Sequence, residues 1–305
     1  MEYEIAFIGY GEAAYAISKG LRSEKPVAMT AFDMMADDPV RGERIKSRMA
    51  EVGVARAATA REAYSRAKYI LSLTSAAVAV QVAEGIIGEL QPGQVYVDMN
   101  SAAPTSMTEI DRLPRPEGVL FCDVSLLGSV PATGHRTKMM LSGDGAADFY
   151  AFLQGFQTRA TLLDTPAGSA SAIKMFKSVF SKGLPQLLLE CLVPAAEYGV
   201  MDIVLDSFKD TFKDRNVEQF ADEVLFRTLI HAKRRSAEMA DVASTVEAMG
   251  FGSEVSRAVC ARLDRLAEYG YADRIGDSEP NLRQVVEMVR QDDRPLSAEK
   301  KNGGN

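Results

Sequence analysis

The sequence predicts an α/β fold: an N-terminal doubly wound domain with a mostly parallel sheet, followed by an all-α C-terminal domain. Three observations predict it. Short apolar runs alternate with helical patterns as far as about residue 163, helical patterns alone follow from Ala167, and the first apolar run ends on a glycine-rich turn.

The first strand, Glu4-Ile5-Ala6-Phe7-Ile8, runs into Gly9-Tyr10-Gly11-Glu12-Ala13-Ala14, and a second, Val27 to Phe32, ends on Asp33. The order strand, turn, helix, strand, acid is a dinucleotide-binding (Rossmann) fingerprint in its proper context. Gly9 permits the tight turn, Gly11 lets the backbone approach a pyrophosphate, and Ala14 stands for the third glycine, where helix meets strand. The helix start adds N–H groups and a positive dipole end. Asp33 lies where a carboxylate accepts hydrogen bonds from the adenosine ribose and repels a 2′-phosphate. NAD is therefore expected over NADP, although Arg41 and Arg44 are close enough in sequence to reach a phosphate if the loop after Asp33 folds back.

After Asp33 the pattern predicts a polar helix from about Pro39 to Val52 and a short helix near Thr59. A strand from Tyr69 to Thr74 and a helix from Ala77 to Leu90 come next. Pro92-Gly93 turns the chain into a strand at Val95 to Asp98, and further strands are expected at Val119 to Val124, Thr137 to Leu141 and Ala160 to Leu163. Helices follow at about Ser169 to Ala196, Met201 to Asp210, Val217 to Ala248 and Ser253 to Glu268. The expected division is residues 1–165 for the nucleotide-binding domain, 166–290 for the helical domain, and a disordered tail over 291–305, which lacks core-forming residues.

The 305 residues are 47% hydrophobic and 25% charged, with a net charge of -7 and no sustained basic block, which argues against a nucleic-acid partner. No leader-like segment precedes the first strand, so the cytoplasm is the expected location. Cys122, Cys191 and Cys260 have neither metal-site nor disulfide spacing and read as buried thiols. The most apolar stretch, Val179 to Val200, contains Lys182, Pro185, Glu190, Pro194 and Glu197. It reads as a largely buried helix, kinked at its prolines, rather than a membrane span.

In an open α/β sheet a ligand lies outside the carboxyl ends of the strands. Thr74-Ser75, Asn100-Ser101 and Ser125-Leu126-Leu127-Gly128-Ser129 fall there, and each reads equally as a helix cap or a ligand contact. Lys174 follows a run of small residues early in the long helix, with Lys177 and Ser178 on the same face. A second ammonium nearby would lower its pKa. His231, Arg235 and Glu238 share a face of a later helix, with Arg234 adjoining. They read as an anion clamp, a subunit contact or a solvated ion-paired face. His135 reads as a surface residue.

These motifs resemble the β-hydroxyacid dehydrogenase superfamily, which includes 3-hydroxyisobutyrate and 6-phosphogluconate dehydrogenases, over about residues 3 to 290. Its strand-end motif D-x-S-T-x-x-P is similar to Asp98 through Pro104, its substrate segment to Asp123 through Ser129, and its catalytic segment to Gly168 through Ser178. Lys177 and Ser178 replace the family's paired asparagines, and Leu127 replaces a serine. The segment from Arg235 to Met239 resembles a divergent branch with a phosphogluconate-dehydrogenase C-terminal-like helical domain. The resemblance implies an NAD-dependent enzyme that interconverts a small hydroxyacid or sugar acid and its oxo product, with Lys174 as general acid/base. It also implies a substrate held near Ser101, Ser125, Gly128, Ser129, Lys177, Ser178, His231 and Arg235, and a homodimer formed through the helical domain. An imine reductase-like enzyme and a non-catalytic NAD(H) sensor are the alternatives.

Overall fold

Strand β1 (Tyr3–Ile8) sends Ile5 and Phe7 into one apolar layer and Ala6 and Ile8 into the other. That two-sided burial is what a central parallel strand requires, and it explains the uninterrupted apolar run. In the computed structural model, which describes residues 2–276 and 278–293, helix α1 (Glu12–Glu24) leads to β2 (Met29–Phe32). The chain continues through α2 (Gly42–Val52), β3 (Ala55–Arg56), α3 (Ala60–Tyr64), β4 (Ala67–Ser72), α4 (Ala79–Glu84) and β5 (Val95–Asp98). Then come α5 (Pro104–Asp111), β6 (Leu120–Leu127), α6 (Val130–Thr133), β7 (Lys138–Ser142), α7 (Ala146–Leu153) and β8 (Arg159–Leu162).

The strands form one sheet in the order β3-β2-β1-β4-β5-β6-β7-β8, parallel throughout except where β7 runs antiparallel to β6. The order reverses direction between β1 and β4, so the carboxyl ends of these two strands open the crevice in which doubly wound sheets bind ligands. The helix expected at 77–90 is shorter: α4 stops before Gly85, and a single 3-10 turn, Ile87–Glu89, follows. His135 is not on the surface. It is 5% exposed, with Nε2 2.7 Å from Glu24 of α1, and a Cβ at Gly20 would lie 2.0 Å from its ring.

The chain divides into two compact units between Phe180 and Ser181, inside the 29-residue helix α8 (Ser169–Glu197) rather than at its start. The second unit, among the described residues, is helical: α9 (Met201–Phe212), α10 (Val217–Ile230), α11 (Ala232–Ala248), α12 (Glu254–Glu268), α13 (Tyr271–Ile275) and α14 (Leu282–Asp293). The single helix expected at 217–248 is two. The backbone leaves helical geometry at His231 (φ -110°, ψ 16°), so that α10 packs on α14 while α11 lies along α12. Leu229, Ala232, Leu263, Tyr271 and Val285 form their core.

Two other expectations are corrected. Helix α8 is not largely buried within this chain, since Phe176, Val179 and Phe180 are 74%, 75% and 58% exposed and Leu187, Leu189 and Val193 are exposed as well. Of the expected disordered tail, Gln291 to Asp293 complete α14, because Asp292 and Asp293 accept hydrogen bonds from Tyr271, Arg274, Arg262 and Tyr269. The rest of that tail lies outside the described residues. No described helix is long and apolar enough to cross a membrane.

Candidate functional site

The glycine turn is built against the end of β4. Gly9 has φ +87°, and a Cβ there would lie 2.6 Å from the Leu73 carbonyl oxygen, so only glycine fits. Over Gly11 a Cβ would meet nothing within 4 Å, and α1 starts from Gly11 without a side-chain cap. The orphan amides at the start of α1, those of Glu12 and Ala13, therefore adjoin open space. Ala14 itself is fully buried beneath them. Tyr10 contributes its backbone, since its ring is buried edge-on to Phe7 and its hydroxyl meets Ser18 at 2.7 Å; burial pushes that hydroxyl up to about 12.

Asp33 comes to the same turn. Its Oδ2 accepts the Tyr10 amide at 2.7 Å and its Oδ1 the Met35 amide at 2.8 Å, and each oxygen retains a second lone pair. Arg41 and Arg44 are exposed at the start of α2.

A buried network ties the neighbouring strand ends together. Asp98, with no exposed surface, accepts the Asn100 amide through Oδ1 and the Asn100 side-chain Nδ2 through Oδ2, both at 2.9 Å. Asn100 also donates to Ser72 Oγ at 3.0 Å, and its Oδ1 accepts the Thr74 amide at 2.8 Å. Burial pushes the Asp98 carboxyl up to about 6, opposed by the donors of Asn100 and assisted by the neighbouring Asp123 carboxylate. The side chain of Asn100, one of the sequence candidates, thus joins β4 to β5.

The cavity at these strand ends has a volume of about 470 Å³. It brings together Glu12 and Ala13, Thr74 and Ser75, Asn100 and Ser101, Gly128 and Ser129, and Lys174. Lys174 Nζ donates to Ser101 Oγ at 2.6 Å. Ser125 is elsewhere: it is 2% exposed, with a partnerless hydroxyl, inside the sheet. Lys177 is exposed and outside the lining, and the Ser178 hydroxyl turns back to the Lys174 carbonyl at 2.9 Å. Leu73, Met99 and Leu126, none of them among the expected site residues, supply apolar wall.

His231 and Arg235 line a different cavity, within the helical unit, of about 580 Å³. Arg235 is held by Thr228 Oγ1 at 2.8 Å, and Arg234 pairs with Glu238. Among the described residues no group of three or more His, Cys, Asp or Glu side chains could hold a metal ion.

Residues 4–181 match the model of the NAD-binding domain of 6-phosphogluconate dehydrogenase. The chain belongs to that family. Residues 195–266 of this 6-phosphogluconate dehydrogenase-type chain match a domain of unknown function, DUF1932. Among solved structures, a conserved hypothetical protein from Sinorhizobium meliloti is 28% identical, with a TM-score of 0.62 over 95% of this chain and 97% of that one. MTH1747, a conserved protein of unknown function described as structurally similar to 3-hydroxyacid dehydrogenases, is 26% identical, with a TM-score of 0.61 over 88% and 98%. An imine reductase from Aspergillus terreus, in complex with NADPH4 and a dibenzazepine, is 14% identical, with a TM-score of 0.67 over 94% and 99%, a likeness of fold. The chain thus has a 3-hydroxyacid dehydrogenase-like fold with an NAD-binding domain of the 6-phosphogluconate dehydrogenase family. The open space over Gly11, the uncapped start of α1 and Asp33 beside the turn fit a dinucleotide in this domain.

Proposed function

We propose that the protein is an NAD-dependent oxidoreductase that interconverts a small hydroxyacid or sugar acid and its oxo product, with Lys174 as general acid/base. The observation that carries this is the Lys174 ammonium 2.6 Å from Ser101 Oγ, inside the cavity that Glu12 and Ala13, at the start of α1, also line. A nicotinamide dinucleotide, when bound, supplies the hydride exchange. The chain's own residues bind and orient: Gly9 and Gly11 shape the phosphate turn, Asp33 offers its remaining lone pairs to the ribose, and Gly128, Ser129 and Ser101 offer donors to a substrate carboxylate. Lys174 moves the hydroxyl proton. In reduction it gives a proton from its ordinary charged state. In oxidation it must first be neutral, which for a lysine near pH 7 means a fall of roughly 3 units.

Support for NAD over NADP is Asp33, whose carboxylate would face a 2′-phosphate with like charge. His231 and Arg235 are proposed as further anion contacts, and a homodimer is proposed because α8 carries exposed Phe176, Val179 and Leu189. An imine reductase-like activity is the second reading, favoured by the Aspergillus terreus neighbour and opposed by a lysine in the cavity. A sensor that binds NADH without turnover is the third.

NADH formation at 340 nm, with NAD and a panel of hydroxyacids and sugar acids including phosphorylated ones, tests the proposal. Lys174→Ala is expected to keep NAD affinity and lose at least about 100-fold in rate. Equal rates for the two proteins would refute the role given to Lys174.

A further inference from the structure

The N-terminus of α8 is capped by residues that lie far from it in sequence. An α-helix begins with amides that have no partner within the helix. In α8 the Ser171 amide donates to Asp123 Oδ2 at 3.1 Å and the Ala170 amide to Ser142 Oγ at 3.0 Å. The Gly168 amide reaches the same Asp123 Oδ2 at 3.0 Å, the Ser171 hydroxyl donates to Oδ1 at 2.7 Å, and the Ser142 hydroxyl to Oδ2 at 3.1 Å. Asp123 is on β6 and Ser142 is its antiparallel partner on β7, and both have no exposed surface. The carboxylate therefore accepts four hydrogen bonds inside the protein, two of them from Ser171 in the first turn of the helix that carries Lys174 and a third from Gly168 just before it.

We propose that Asp123 is a positioning residue for Lys174: its carboxylate fixes the rotation and axial position of the first turn of α8 against the sheet. Lys174 lies three residues beyond Ser171, just under one turn and about 4.5 Å along the axis, so any turning or sliding of that first turn is passed directly to the ammonium. A displacement of about 1 Å at a reacting group can cost about 100-fold in rate. The backbone also limits the arrangement from the other side. Gly168 has φ +95°, and a Cβ there would lie 2.9 Å from the Pro104 carbonyl.

This inference rests on the Lys174 reading for its catalytic meaning, so its first test needs no substrate. Lysines are converted to ¹³C-dimethyl-lysine, and the Lys174 resonance, assigned by its loss in Lys174→Ala, is titrated by NMR. In Asp123→Ala, and in the Ser142→Ala/Ser171→Ala double variant, the Lys174 line is expected to move and its midpoint to shift by about 0.5 pH units or more. The lines of Lys19 and Lys68 should stay in place. Asp123→Asn, which keeps one oxygen for the amides, should remain near the original protein. A Lys174 line and midpoint identical in the original protein and both loosened variants would overturn the proposal. If Asp123→Ala fails to fold, with the control lines moving too, the double serine variant decides.

On any substrate that is turned over, Asp123→Ala should lower kcat at least about 10-fold with KM within about 2-fold, and should add nothing in the Lys174→Ala background. Loss of rate that is additive with Lys174→Ala contradicts positioning. A rate indifferent to Lys174→Ala refutes the catalytic reading and leaves the NMR result standing.

Discussion

Asp98 has its carboxyl held at about 6 by burial, against an ordinary value near 3.8. The folded protein then binds a proton between about pH 4 and 6 that the unfolded chain has released. Its contribution is therefore most favourable below pH 4 and declines as pH rises through 6, by about 3 kcal/mol in all. Asp98→Asn, which cannot ionise, should flatten that part of the urea-unfolding stability profile relative to the original protein; parallel profiles would contradict the assignment. Glu24 has the opposite sign. The Gln157 amide, His135 and Arg136 hold its carboxyl down to about 2, so the stability it supplies is present above about pH 4.5 and lost as pH falls towards 2. Glu24→Gln should lower Tm at pH 7, and thermal melts should show that deficit closing towards pH 2. At the turn, Asp33→Ala removes the acceptor for the Tyr10 amide as well as a ribose contact, so it should weaken both cofactors. Binding titrations should nonetheless show the preference for NAD over NADP falling at least about 10-fold, the scale of one charged hydrogen bond; an unchanged preference would overturn the NAD assignment.

The elements divide into those whose causes are local and those whose causes are not. Helix α1 begins at a glycine turn and β1 is a continuous apolar run, and both were legible because each residue's reason lies within a few neighbours. The two-residue strand β3 carries no such pattern, since only its pairing with β2 defines it. The break at His231 was hidden because Leu229 and Ala232 keep helical spacing on both sides; the cause is packing on α12 and α14, over 20 residues away. The candidate site followed the same rule. Gly9, Gly11 and Lys174 are marked by motif, whereas Ser125 lies in a motif segment yet is buried in the sheet, and Asp123 works through Gly168 and Ser171, which the sequence does not place beside it. Gly168 gives an element-level test: with φ +95° and a backbone oxygen 2.9 Å from any added Cβ, Gly168→Ala should destabilise the protein by about 1–3 kcal/mol, read by denaturant unfolding.

For the whole molecule, the decisive surface is α8. A helix with Phe176, Val179, Phe180, Leu187 and Leu189 all exposed presents more apolar contact than a solitary soluble chain ordinarily shows to water. If a second copy covers it, Tm should rise with protein concentration and sedimentation should give a dimer; Val179→Glu should shift the protein to monomer and remove the concentration dependence. The sheet offers no competing route. One rim is β3, two residues long, and the other is β8, four residues starting with Arg159. Edges so short and partly charged make poor templates for a strand from another molecule. Copies that meet while crowded or partly unfolded are therefore steered away from fibril-like growth along the backbone and towards closed assemblies held by side chains.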